Sequence, residues 1–384
     1  MTIMETKMSQ HSKRELVQRL QPRYLKADRK EKTRILDEFV AVTGLHRKAA
    51  IRSLRRQSYP SREYRGRRKI YTGSVVAALA KIWRICGCIC GKRLQPILAD
   101  MVSSLERHDE LKLDEETRIL LLAVSPATID RLLQPHKTSN RRGISTTKPG
   151  SLLKHQIPIR TFADWDNTQA GFMEIDLVAH CGDTAAGQFV CSLTATDVAT
   201  GWTECFSLPR RSQIAVHDAL NQLRTRLPFP LLGIDSDNDS VFINDLMLQY
   251  CKAESITFTR CRPYKKNDQC FVEQKNWSIV RRTIGYHRYE SKFAHHLLGE
   301  IYEELHLFTN MYQPTFKLKS KKRTGAKVYK QYDTPQTPLQ RVLDTSLLSA
   351  ENSSHWQAVY LNTNPAKLRR RIDSKVRQLV KYRE

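Results

Sequence analysis

No stretch of this 384-residue chain reaches the roughly 18 consecutive apolar residues that a membrane-spanning helix requires. The polar opening Met-Thr-Ile-Met-Glu-Thr-Lys does not read as a targeting segment, so the expected location is the cytosol. Cysteine is present without a framework: the nine residues are an odd number and lack the paired spacing of a disulfide scaffold or zinc ribbon. Reduced thiols are expected. The tightest cluster, Cys86, Cys88 and Cys90, has no second Cys or His pair following it, and Ile82, Cys86, Ile89 and Cys90 fall near helical spacing. Buried small residues are therefore expected there rather than zinc ligands. A Gly-rich phosphate cradle is also missing, which argues against nucleotide-driven chemistry. Acidic residues are scarce, 39 against 64 Lys and Arg, for a net charge of +25 and a pI near 9.8. Such a chain needs a polyanionic partner, and nucleic acid fits better than a membrane because no amphipathic basic anchor stands out. Basic charge alone is shared with ribosomal and merely soluble basic proteins.

The few acidic residues are unevenly placed. Residues 1–70 carry 20 Lys or Arg against 7 Asp or Glu, residues 171–260 carry 6 against 11, and residues 301–384 carry 16 against 7. An acidic island inside a basic chain is most simply explained by bound cations. The 1–70 segment reads as a helix-turn-helix: Ile35, Phe39 and Val42 keep helical spacing over residues 32–43, Gly44 breaks the run, and residues 45–56 resume it. Ala49, Ala50 and Leu54 can pack the second helix closely on the first, leaving His46, Arg47, Arg52, Arg55 and Arg56 for a DNA major groove. A basic helical hairpin with a solvated face is the alternative. Arg62, Arg65, Arg67, Arg68 and Lys69 follow as a basic tail.

Residues 71–136 read as a second helical, helix-turn-helix-like region, with Ser125 as a cap and Pro126 at the first helical position. Residues 137–164 lose periodicity and form a basic linker. From residue 165 the order changes to strands over 172–181, 189–196 and 202–208, a helix over 213–226, a short strand over 231–236, a helix over 241–252, a strand over 256–259 and a helix over 267–284. Residues 291–384 form a basic C-terminal region, with a helix near 296–312, a charge run over 317–330 that can contact phosphates or be a solvated loop, and a terminal basic helix.

Three carboxylates sit where these elements converge. Asp176 lies mid-strand, sharing a face with Glu174 and Val178 by the two-residue period. Asp237 follows the fourth strand in Ser-Asp-Asn-Asp-Ser-Val-Phe. Glu273 opens the last helix after 35 intervening residues, and that helix also presents Asn276, Trp277 and Val280. Carboxylate oxygens are the hard ligands that Mg²⁺ takes, and strand ends beside helix starts form the crevice of an open sheet.

This pattern resembles the catalytic core of DDE transposases, of bacterial insertion-sequence type, in the retroviral integrase superfamily. An Asp in the first strand, a Ser-Asp-Asn segment, and a Glu about 35 residues on are matched by Asp176, Ser236 to Phe242, and Glu273. Arg262-Pro-Tyr-Lys-Lys-Asn-Asp268 is similar to the family's loop before the glutamate. The chain departs at Asp239 and Val241, where many relatives have Gly and Glu, and at Val280, where many carry Lys or Arg. Arg281, or else Lys275, is then the candidate contact to the DNA end.

The resemblance implies an α/β ribonuclease H-like core over residues 165–290, preceded by the all-α helix-turn-helix region and followed by the basic C-terminal region. It also implies a site of Asp176, Asp237 and Glu273 holding two Mg²⁺ ions, with Mn²⁺ as substitute. Glu174, Asp183, Asp197, Asp235 and Asp239 are read as structural or supporting. The implied reaction is cleavage at transposon ends followed by strand transfer into target DNA. The partners are then double-stranded DNA bearing terminal inverted repeats, target DNA and further copies of the chain, in the bacterial cytosol at the nucleoid. A non-catalytic DNA-binding regulator, and a ribonuclease H-like nuclease without strand transfer, are the rivals.

Overall fold

The computed structural model describes residues 8–55, 70, 71, 73–136, 169–262, 269–345 and 348–384. Arg56, the basic tail through Lys69, the expected 137–164 linker and most of the loop after Arg262 lie outside the described residues. The chain divides into two compact units, Met1–Ile70 and Tyr71–Glu384.

The first unit holds α1 (Gln10–Lys26), α2 (Arg29–Thr43) and α3 (Arg47–Arg55). Ser9 and Asp28 cap α1 and α2, accepting from the backbone N–H groups of Ser12 and Glu31 at 3.1 and 2.8 Å. Gly44 ends α2 at φ 64°, a left-handed backbone that glycine adopts without strain. Val17, Tyr24, Ile35, Leu36, Phe39, Ala50 and Leu54 form the core. Val42, expected on that face, is 58% exposed, and Thr43 is buried instead. The buried stripe runs Ile35, Leu36, Phe39, Thr43, a steeper row across the helix than the sequence spacing predicts.

The second unit begins with α4 (Ser74–Ile85), α5 (Gly91–Leu94), α6 (Leu98–Arg107), α7 (Glu115–Leu122) and α8 (Pro126–Leu133). Asp114 and Ser125 cap α7 and α8, and Pro126 takes the first helical position. These helices share one hydrophobic cluster, running from Val75 to Leu379, with the sheet and the C-terminal helices that follow. Polar ties reinforce it: Gln313 Nε2 donates to Cys86 O at 2.7 Å, and Arg282 donates to Gly87 O at 2.6 Å. Ile82, Cys86 and Ile89 are buried, whereas Cys90 is exposed because α4 ends at Ile85 and the helical period stops there.

Next come β1 (Phe172–Ala179), β2 (Cys191–Asp197), β3 (Thr203–Leu208), α9 (Gln213–Arg226), β4 (Gly233–Ser236), α10 (Asp245–Ala253) and β5 (Thr257–Arg260). They build a sheet of order β3-β2-β1-β4-β5, in which β1, β2 and β3 are antiparallel while β4 pairs parallel with β1 and β5. Hairpins join the first three strands and helical crossovers join the rest, as parallel pairing demands. This mixed sheet with flanking helices fits a ribonuclease H-like core. Gly171 starts β1 at φ 112° with Pro230 O only 2.5 Å from where a Cβ would stand, so no larger residue brings the β1 and β4 segments together here.

The chain then forms α11 (Cys270–Lys275), a π-helical turn (Asn276–Arg281) and α12 (Arg282–Ile284), where one uninterrupted helix was expected. The long α13 (Lys292–Tyr312) covers the β3 edge. Asn310 replaces a neighbouring strand there, accepting from Thr203 N at 2.9 Å and donating to Thr203 O at 3.0 Å. The charge run that read as a phosphate-contacting segment or solvated loop is an antiparallel hairpin, β6 (Leu318–Thr324) and β7 (Lys327–Tyr332). The chain closes with α14 (Pro338–Leu343), α15 (Ala350–Asn362) and α16 (Pro365–Leu379).

Trp202, fully buried, ties sheet to helices: its indole N–H donates to Glu204 Oε1 at 2.7 Å, and its ring lies edge-on to Phe229, His306 and Trp356. Replacing it with alanine opens a cavity and leaves Glu204 Oε1 with His306 alone as partner. Chemical denaturation of Trp202→Ala should show a loss of about 3–5 kcal/mol.

Candidate active site

The site follows from strand register. The parallel pairing of β1 with β4 sets Glu174 opposite Asp235 and Ile175 opposite Ser236. One residue further on are Asp176 and Asp237, leaving the carboxyl end of β4 side by side. Successive side chains alternate faces, so Glu174, Asp176, Asp235 and Asp237 all belong to the same face of the sheet.

Four acids so close are tolerable only if each is compensated. Glu174, completely buried, accepts from the backbone N–H groups of Phe271 and Val272 at 2.9 and 3.1 Å. It thereby satisfies the orphan donors at the start of α11 and clamps that helix to β1. Gln269, just before the helix, reaches toward Ile175 O and Asp235 O at 3.5 Å each. Asp235 accepts from Thr259 Oγ1 at 2.6 Å. The inner pair thus holds β1, β4, β5 and α11 together.

The outer pair comprises two of the three carboxylates expected to be catalytic. Asp176 accepts from Leu177 N at 2.7 Å and from Asn276 Nδ2 at 2.6 Å. Burial, then the charges of Asp237 and Glu273, push its carboxyl from 3.8 up to about 8, against the opposing pull of those two hydrogen bonds. Asp237 rises to about 6, through burial and the neighbouring Asp239, while Arg211 and a 2.9 Å bond from Asp239 N oppose the shift. Glu273 stands exposed in the first turn of α11, one turn before Asn276. Asp176 thus lies within the fields of both Asp237 and Glu273. Among the described residues, however, no group of three or more His, Cys, Asp or Glu is placed so that together they could hold a metal ion. The donor set nevertheless suits a hard divalent cation: it is all oxygen, its members repel one another, and the buried Oδ1 of Asn276 beside it has no hydrogen-bond partner.

The loop after Asp237 explains one departure from the family pattern. Asp239 is buried, paired with Arg211, and accepts from Val241 N at 3.0 Å. Among the described residues, the non-glycine residues with positive φ are Cys88, Asp109 and Ser255, so the turn does not require glycine at Asp239. Asn238 fastens the loop to the end of β5, donating to Cys261 O at 3.0 Å and accepting from Arg260 at 3.1 Å. Asp197, also read as supporting, is buried at the β2 turn and accepts from Gly171 N and from both the N–H and hydroxyl of Thr200. Asp183 is exposed.

Two expected DNA contacts are corrected. Lys275 is buried, its ammonium donating to Gly201 O at 3.3 Å and pushed down to about 7 by burial. Arg281 donates to Ala179 O at 2.9 Å and lies over the Tyr286 ring at 4.8 Å. For Arg281 the 100° step of an α-helix does not apply because the π turn intervenes, whereas Lys275 precedes that turn and shares the buried face of α11 with Val272. Val280 is fully buried, so this helix face packs rather than binds. In the first unit His46, Arg47, Arg52 and Arg55 are exposed, with Arg47 paired to Asp37. The roles of Glu174 and Asn276 were only partly visible in the sequence. The period-two face and the i, i+3 relation to Glu273 were the available signals.

No known protein-family model matches the chain. It is 44% identical over 343 residues to the uncharacterized protein y4rM of Sinorhizobium fredii, covering 88% of this chain and 97% of that protein. The chain belongs to the y4rM family. This member of the y4rM family is also similar to the crystal structure of the catalytic core domain of BIV integrase, at 18% identity over 50% of this chain and 99% of that one, with a TM-score of 0.29. That score is too low to add to the strand order and register.

A pH dependence follows from Asp176. Its raised pKa means that the folded protein retains a proton that the unfolded chain loses above about pH 4, so stability falls as pH rises from there to about 8. Asp176→Asn removes that loss. In chelator, its melting temperature should exceed the parent's by a margin that widens from pH 4 to pH 8, and an equal margin at both ends contradicts the assignment.

Proposed function

We propose that this protein is a metal-dependent DNA-cleaving and strand-transferring enzyme, a transposase, with Asp176, Asp237 and Glu273 as its catalytic carboxylates. The observation that carries this reading is the β1 and β4 register, which brings Asp176 beside Asp237 while Glu174 seats the helix bearing Glu273. The spacing and the Ser-Asp-Asn context of these residues supply the reaction class through the family resemblance.

Asp176, Asp237 and Glu273 would hold two Mg²⁺ ions, which when bound activate water or a DNA 3′-hydroxyl and offset charge at the phosphorus. The remaining work belongs to the chain. Asn276 orients the Asp176 carboxylate through its 2.6 Å hydrogen bond. Glu174 fixes the height of α11 against β1, and hence the reach of Glu273. Arg211 and Asn238 hold the Asp237 loop against Asp239 and β5. Double-stranded DNA is the substrate, and α3, with its exposed Arg52 and Arg55, is the proposed reader of the transposon ends.

Cleavage of a labelled duplex carrying the element's terminal repeats, with Mg²⁺ present, tests the reading. Asp176→Asn, Asp237→Asn and Glu273→Gln should each lose about 100-fold or more of cleavage while still binding the duplex. Full activity in any one removes that residue from the site. Asn276→Ala, which leaves the carboxylates in place, should lose about 10–100-fold. Cleavage without joined products would instead identify a nuclease, and binding without cleavage a regulator.

A further inference from the structure

The β6 and β7 strands form a two-stranded ribbon in which every residue is exposed. Residues 318–332 contain Lys319, Lys321, Lys322, Arg323, Lys327 and Lys330, and no acid. The ribbon closes through a two-residue turn with Gly325 at φ 59°. An isolated two-stranded ribbon is marginal in water, and this one carries an added cost, since Lys321 stands directly opposite Lys330. Like charges facing across strands destabilise the pair.

Its base, by contrast, is built in. Lys317 N donates to Asp333 Oδ1 at 2.6 Å, and Asp333 N donates to Lys317 O at 2.9 Å. The largely buried Arg341 pairs with Asp333 at 2.7 Å and donates to Thr315 O at 2.9 Å. Phe316 and Tyr332 meet edge to face at 5.8 Å. A well-anchored stem thus carries an arm with no apolar side to pack against the protein. Alternation puts Lys321, Arg323 and Lys330 on one face of the arm, and Lys322 and Lys327 on the other with Ser320, Tyr329 and Gln331.

We propose that this hairpin is an arm that enters the major groove of duplex DNA, its two basic faces toward the phosphate walls. A two-stranded ribbon is one of the two protein elements that groove admits. Cations on both faces suit a ligand that surrounds the arm with negative charge, where a flat anionic surface would engage only one. Ser320, Tyr329 and Gln331, on the face that also carries Lys322 and Lys327, add hydrogen-bonding groups toward the same wall. The proposal rests on the reading that the substrate is DNA, and it locates a contact outside both the carboxylate site and the helix-turn-helix.

The test uses the full chain in chelator, so that cleavage is silent, with anisotropy of a short mixed-sequence duplex as readout. All six basic residues are changed to glutamine. A control loses the same charge at Lys112, Lys252, Lys292, Lys367, Arg377 and Lys381, and unchanged circular dichroism and melting confirm folding. The hairpin variant should bind about tenfold more weakly or worse, with a salt slope shallower by about three or more, while the control changes far less. Equal losses in variant and control overturn the proposal, because net charge alone then explains binding. An equal loss on single-stranded DNA overturns groove entry, and a loss confined to anionic phosphatidylglycerol vesicles assigns the arm to membranes instead. If the parent binds no duplex, the DNA reading falls with it. If the parent binds and the hairpin variant binds equally well, only the arm proposal fails.

Discussion

The parallel register between β1 and β4 is the constraint on which the site depends. It places Glu174 beside Asp235 and then Asp176 beside Asp237, so one sheet face carries four carboxylates at two successive levels. The inner level is compensated by the fold itself, through the first N–H groups of α11 and the Thr259 hydroxyl. The outer level is not compensated to the same degree, and the pKa of both its acids is held well above the ordinary carboxylate value. Electrostatic strain is thus concentrated at the end of the sheet where a cation would relieve it. A one-residue slip between these strands would misalign the pair and unseat α11.

The basic residues divide into two groups. Within the second unit many arginines bind the chain's own carbonyl oxygens. Arg282 reaches Gly87 and Cys88, Arg281 reaches Ala179, and Arg288 reaches Cys181, Thr184 and Ala186. The net charge of +25 therefore overstates the surface offered to a polyanion. Exposed basic residues remain on α1, α2, α3 and α16, and on the β6 and β7 hairpin they are gathered with no acid among them.

Legibility in the sequence tracked how local each determinant was. The α9 helix could be read to the residue because Ser212 caps it and Arg224 and Arg226 close it, and α8 announced itself through Ser125 and Pro126. The strand order was legible because short β-branched runs separated by glycine turns were followed by amphipathic helices. The three carboxylates could be picked out by spacing, but not the buried Glu174 bridge to α11, which joins residues almost a hundred positions apart. The π turn was invisible since no proline or glycine marks it, and extrapolating an α-helix through it misdirected Arg281, while Lys275 lies before it on the buried side of α11. The hairpin escaped because its alternation is of charge and aromatic residues rather than of apolar and polar ones, and Cys90 was misread because the helix stopped a turn earlier.

The central claim is that the outer carboxylates form a cation site. Crystals soaked in Mn²⁺ and measured at the manganese absorption edge test it most directly. The account predicts anomalous density within bonding distance of both Asp176 and Asp237, lost in Asp176→Asn. Saturating Mn²⁺ with no density between those two side chains, or density that persists in the variant, would contradict it.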